Sequence, residues 1–166
     1  MRKTIVTALL ATVLVACSTI DCPVQTAVYM NFGVYDDTET ATTLVDTMYV
    51  NIRQYGGKDT LIYNRGINLE SFKLPISYNH PEDTLFFRFI DGSGENAWQR
   101  KDTVWVKKQD YPHFESVDCS AIFFHDLTAV RSTNHYIDTI IINQQRVDYG
   151  ITGQHFHIRF KTVTDL

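Results

Sequence analysis

Apolar and polar residues alternate along most of this chain with a period of two, the spacing of strands that bury one face. Val28, Met30, Phe32 and Val34 alternate with Tyr29, Asn31, Gly33 and Tyr35. Met48, Val50 and Ile52 alternate with Tyr49, Asn51 and Arg53. Gly56-Gly57 predicts a tight hairpin into a strand over Thr60–Asn64. Asn68–Ser77 reads as a weaker strand at a sheet edge, because Pro75 has no N–H to donate to a ladder. Leu85, Phe87 and Phe89 form the next core face, and Val104 and Val106 the one after. Leu127–Arg131 and Ile137–Asn143 read as a hairpin around Ser132-Thr-Asn-His, and Gln154–Thr162 as the last strand. No window of about 11 residues carries a helical period. Short strands separated by turn residues predict an all-β fold, a two-sheet immunoglobulin-like sandwich in a single domain over residues 23–166.

One local pattern recurs: Asp46-Thr-Met-Tyr, Asp59-Thr-Leu-Ile, Asp83-Thr-Leu-Phe, Asp102-Thr-Val-Trp and Asp138-Thr-Ile-Ile. Each reads as a strand entrance, with Asp bonding turn backbone and Thr starting the pleat. The first apolar residue then faces the core and the second faces away. On that reading Tyr49, Phe86 and Trp105 project outward, as single surface aromatics or, where their strands adjoin, as a binding face for a protein or a sugar ring.

Composition agrees with strands. Aromatic residues make up 13% of the chain, and β-branched and aromatic side chains suit a half-buried pleated surface. A length of 166 residues fits one domain. The formal charge is −4, and losing Arg2 and Lys3 with a leader takes it to −6. An acidic domain argues against non-specific nucleic-acid binding, which runs on basic patches.

Residues 1–16 have the pattern of a secretory signal peptide: a short basic start, then an apolar run too short to span a bilayer. The run ends in Leu14-Val-Ala-Cys17, which resembles the lipobox of bacterial lipoproteins and marks Cys17 for acylation. Residues 17–22 then form a short lipid-anchored N-terminus. With only Asp21 as an acidic residue in this tether, the expected location is the periplasmic face of the outer membrane, with surface exposure left open.

With Cys17 acylated, Cys22 and Cys119 remain, and a lone pair in an oxidising envelope predicts a disulfide. The alternative is a reactive Cys119 beside His113 or His125. His155 and His157, two residues apart, share a face that continues with Arg159 and Lys161 and reads as solvated. They are weak metal candidates, with His113, Glu115 and His125 as the further donors. Asp36, Asp37 and Glu39 lack the spacing of a calcium loop and read as a polar turn. No cofactor motif, nucleophile elbow or zinc-protease helix is present in the sequence.

Several segments resemble a family of small lipoproteins of the Bacteroidetes built on a domain of unknown function. They are Cys17-Ser-Thr-Ile-Asp-Cys-Pro23, Leu74-Pro-Ile-Ser-Tyr78, Pro81-Glu-Asp-Thr-Leu-Phe-Phe87, Pro112-His-Phe-Glu-Ser-Val-Asp-Cys119 and His155-Phe-His-Ile158. The resemblance implies an envelope lipoprotein and brings no activity, cofactor or catalytic residue with it. The expected function is a non-catalytic module that meets the membrane through its lipid and binds an envelope protein or glycan. The alternatives are a hydrolase built on a His/Glu cluster and a purely structural envelope spacer.

Overall fold

The computed structural model describes Cys22 and residues 27–78, 80–92, 97–150 and 152–162. The expected signal peptide (1–16) and Cys17 lie outside the described residues. Among the described residues ten strands run in order: β1 (Tyr29–Tyr35), β2 (Thr47–Arg53), β3 (Asp59–Gly66), β4 (Ser71–Pro75), β5 (Glu82–Asp91), β6 (Trp98–His113), β7 (Ile122–Ser132), β8 (Ile137–Ile142), β9 (Arg146–Val147) and β10 (Phe156–Phe160). They form two sheets, one ordered β4-β1-β10-β8 and the other β3-β2-β5-β6-β7-β9, packed as a sandwich.

Alternation decides which face is buried. In β5 every second residue from Asp83 to Phe89 is buried, and in β6 the same holds from Asp102 to Lys108. Register partners carry the core across each sheet. Phe32 pairs with Phe72 on one side and Phe156 on the other, and the three rings stack at 4.8 and 4.7 Å. Phe72 then meets Phe87 edge-on at 6.3 Å, which joins the two sheets through one run of aromatic contacts. Pro75 ends β4, and β4 lies at an edge, as its missing N–H requires.

Two expectations need correction. Leu127–Arg131 and Ile137–Asn143 are not a hairpin: β7 belongs to the six-stranded sheet and β8 to the four-stranded one. The connection has turn chemistry, with Asn134 at φ 56°, but a distant carboxylate redirects it. Asp102 accepts from Thr133 Oγ1 at 2.6 Å and from the backbone N–H groups of His135, Tyr136 and Ile137 at 2.7–2.8 Å. Second, Asp59 inverts the Asp-Thr pattern, so Leu61 is exposed while Ile62 packs on the core. The β2–β3 pairing shifts register between Val50 and Asn51, and Asp59 lies opposite Arg53, which it binds at 2.6 Å. β6 runs on through Tyr111-Pro-His113, so the Cys119 segment is the tip of a long β6–β7 hairpin.

Candidate functional site

β2, β5 and β6 are neighbours in the six-stranded sheet, and their register fixes what shares its outer face. Tyr49 lies opposite Arg88, Asn51 opposite Phe86, Phe86 opposite Thr103, and Thr84 opposite Trp105, which in turn faces Arg131 on β7. Tyr49, Phe86 and Trp105 therefore sit on three adjoining strands, half-buried and turned away from the core.

They do not stack on one another. Each lies under a guanidinium instead: Arg88 is 4.1 Å from the Tyr49 ring centre, Arg53 is 4.8 Å from that of Phe86, and Arg131 is 3.8 Å from that of Trp105. Cation–π attraction at such partly exposed sites contributes about 0.5–1 kcal/mol each. Asp59 orients Arg53, and Glu82 holds Arg131 at 3.2 Å. Arg88 makes no ion pair among the described residues and lies directly opposite Lys101. Arg53, Arg88, Lys101, Lys107 and Arg131 thus share a face with Asp59 and Glu82, a basic surface on an acidic chain.

The sequence reading missed the arginines. Alternation alone places Arg88 two residues from Phe86 on the same face, and Arg53 two residues beyond Asn51. Arg131 comes from β7, and only the strand order brings it to Trp105.

Near one end of this sheet, a cleft of about 410 Å³ opens between the β2–β3 turn and residues 75–77 and 80. Ile52, Ile62 and Ile76 line it, and Tyr55 stacks loosely with His80 at its mouth, 6.0 Å between ring centres. Beside it lies a fully buried ion pair, Lys108 Nζ to Asp83 Oδ2 at 3.4 Å. Lys108 also donates to the carbonyl of His80 and to Ser77 Oγ, while Asp83 accepts from the N–H and hydroxyl of Ser77. Ser77 and His80 are thereby fastened to the sheet.

The four candidate histidines occupy different surroundings. His113 stacks on Phe124 at 4.6 Å and approaches Glu115 Oε1 at 3.2 Å. His125 is buried, with Nδ1 2.7 Å from Asp110; burial pushes its pKa down against the pull of that carboxylate. His157 stacks on Tyr35 at 4.0 Å with Glu39 3.7 Å away. His155 corrects the expectation of a solvated face, since it is fully buried. Its backbone N–H donates to Asn31 O at 2.8 Å, and its Nδ1 accepts from the Asn31 N–H at 2.9 Å. The ring proton of the neutral form is therefore on Nε2. Burial depresses the His155 pKa against the upward pull of the Arg146 main chain and of Asp148, and Nε2 makes no hydrogen bond of normal geometry among the described residues. Among the described residues no three His, Cys, Asp or Glu side chains converge as a metal site.

Asp36 is used by its own turn. It accepts from the N–H groups of Thr38 and Thr40 and from the Thr38 hydroxyl, which hold its pKa down. Cys22 and Cys119 form a disulfide across 97 residues, with Cα atoms 5.6 Å apart. Cys119 is thus a bridged half-cystine in the β6–β7 tip, not a free thiol beside His113 or His125.

A family model described as a family of unknown function (DUF6452) matches residues 47–160. No curated protein and no solved structure matches the chain.

Proposed function

We propose that this chain, which belongs to the family of unknown function DUF6452, is a lipid-anchored, non-catalytic binding module of the bacterial cell envelope. In this reading residues 1–16 direct export, Cys17 carries the lipid, and the protein sits on the periplasmic face of the outer membrane. The sandwich, which we read as immunoglobulin-like, presents the outer face of its six-stranded sheet to an envelope protein or glycan that carries negative charge.

One observation carries the binding reading: Tyr49, Phe86 and Trp105 stand on adjoining strands, each under an arginine. Rigid aromatic and arginine side chains dominate binding hot spots, because they bury much area at little entropic cost. A basic patch on a chain of net charge −4 also favours an anionic partner over like-charged copies of itself. The leader pattern and the lone disulfide support the envelope assignment.

The test is in-cell cross-linking of the tagged protein, followed by co-purification and mass spectrometry, in wild type, Trp105→Ala and Arg88→Glu. We expect a specific partner in wild type that both variants lose while their thermal unfolding stays near wild type. A partner retained at full yield in both variants removes this face from the reading.

A further inference from the structure

The disulfide connects two things that lie far apart in sequence: the tether that follows Cys17, and the tip of the β6–β7 hairpin. Five residue steps separate Cys17 from Cys22, a reach of about 18 Å when fully extended. Cys22 is bonded to Cys119, so the tip is held within that distance of whatever holds Cys17. The tip exposes two large apolar side chains, with the exposed Asp118 beside them. Val117 is 96% exposed and Phe114 60%. Glu115 is turned back toward the base of the hairpin, where it accepts from the Tyr149 hydroxyl and lies 3.2 Å from His113 Nε2. Tyr111 and Tyr149, both exposed, flank that base. Exposed aliphatic and aromatic residues beside a lipid anchor fit the headgroup boundary, which accepts apolar side chains and the amphipathic rings of tyrosine.

Resting on the lipoprotein reading above, we infer that the 114–121 tip lies on the bilayer leaflet that holds the Cys17 lipid, with Phe114 and Val117 seated in its interface. The sandwich then stands up from the membrane along β6. Trp98, at the other end of β6, lies about 50 Å from the tip at roughly 3.3 Å per residue. The aromatic–arginine face lies on the same sheet and is presented sideways, clear of the lipid. Two contacts, one covalent and one apolar, fix an orientation that a single flexible tether leaves free.

The experiment uses the full-length protein purified from membranes of producing cells and reconstituted into vesicles of phosphatidylethanolamine and phosphatidylglycerol. A fraction of the acyl chains is brominated near the headgroup to quench tryptophan fluorescence. Val117→Trp adds an indole at a position exposed enough to leave the fold undisturbed. Trp98 and Trp105 of the unsubstituted protein are internal controls. We expect the added indole to be quenched several-fold more strongly than the native pair, with emission shifted to the blue. An added indole quenched no more than the controls, on protein whose N-terminal peptide mass shows lipid at Cys17, overturns the orientation alone. A mass that shows Cys17 without lipid overturns the orientation and the lipoprotein reading together.

Discussion

Asp102 accepts the backbone N–H of Ile137 at 2.8 Å, at the point where the chain leaves one sheet for the other. The buried carboxylate has His135 Nδ1 4.0 Å away and no Lys or Arg in ion-pair reach among the described residues, and it is balanced by the Thr133 hydroxyl and a row of main-chain donors. Hydrogen bonds to a charged group contribute about 1.5–3 kcal/mol each, and leaving the donors unpaired adds a desolvation cost. Asp102→Ala is expected to lower stability by about 3–5 kcal/mol, within the range of losses from broken buried networks. Asp102→Asn, which keeps an acceptor oxygen, should lose less. Urea unfolding followed by tryptophan fluorescence measures both.

Lys108 and Asp83 form a buried pair whose net contribution is small but whose disruption is costly. Removing one partner strands the other charge out of water, at about 3–5 kcal/mol, whereas replacing both with apolar groups is often neutral. Lys108→Met and Asp83→Leu should each destabilise strongly, and the double variant should lie closer to wild type than either. A double variant as unstable as the two losses added would show that the pair is not the coupled unit described here.

His155 makes the fold sensitive to acid. Its pKa is depressed in the folded state from the ordinary value of 6.5, so the unfolded chain binds the proton first. The stability it supports is complete above about pH 6.5 and falls as pH drops toward the folded value. Protonation of Nδ1 also breaks the bond from the Asn31 N–H. His125, depressed by burial, acts in the same direction. His155→Asn keeps an acceptor for Asn31 and removes one titration. Its melting temperature should fall less than that of wild type between pH 7.5 and about 5.5.

The disulfide closes 97 residues, and cross-linking so long a loop stabilises by about 4–5 kcal/mol if the unfolded chain behaves as an ideal coil. Reduction, or Cys119→Ser, should lower the denaturant midpoint without changing the strand content seen by circular dichroism.

The strands were legible where one face is buried and the other is not. Met48, Leu85 and Val104 face the core and Tyr49, Phe86 and Trp105 face away, as a period of two requires. Sheet membership was not legible. Ser132-Thr-Asn-His has the composition of a hairpin turn, and only a carboxylate some thirty residues earlier makes it a crossover. His155 was misread for a similar reason. Its partner Asn31 is 124 residues away, and nothing local separates a buried imidazole from a solvated one. Asp59 went astray because the register shift in β2–β3 breaks the alternation that the other Asp-Thr strands keep. The aromatic face was legible in its rings; Arg131 over Trp105 needed the strand order.

The parallel pairing of β1 with β10 has a consequence in time. Phe32 is among the first core residues synthesised, and its neighbour Phe156 is among the last. A growing chain that ends before Phe156 leaves β1 without that neighbour and β8 with no strand beside it in its sheet. The four-stranded sheet therefore cannot close before β10 has been made. Native pairing of distant strands is slow for the same reason, since the entropy of closing the loop is lost before the contacts form. Until β10 is made, β8 has no neighbour to pair with, whereas the six-stranded sheet has all its strands once β9 is made.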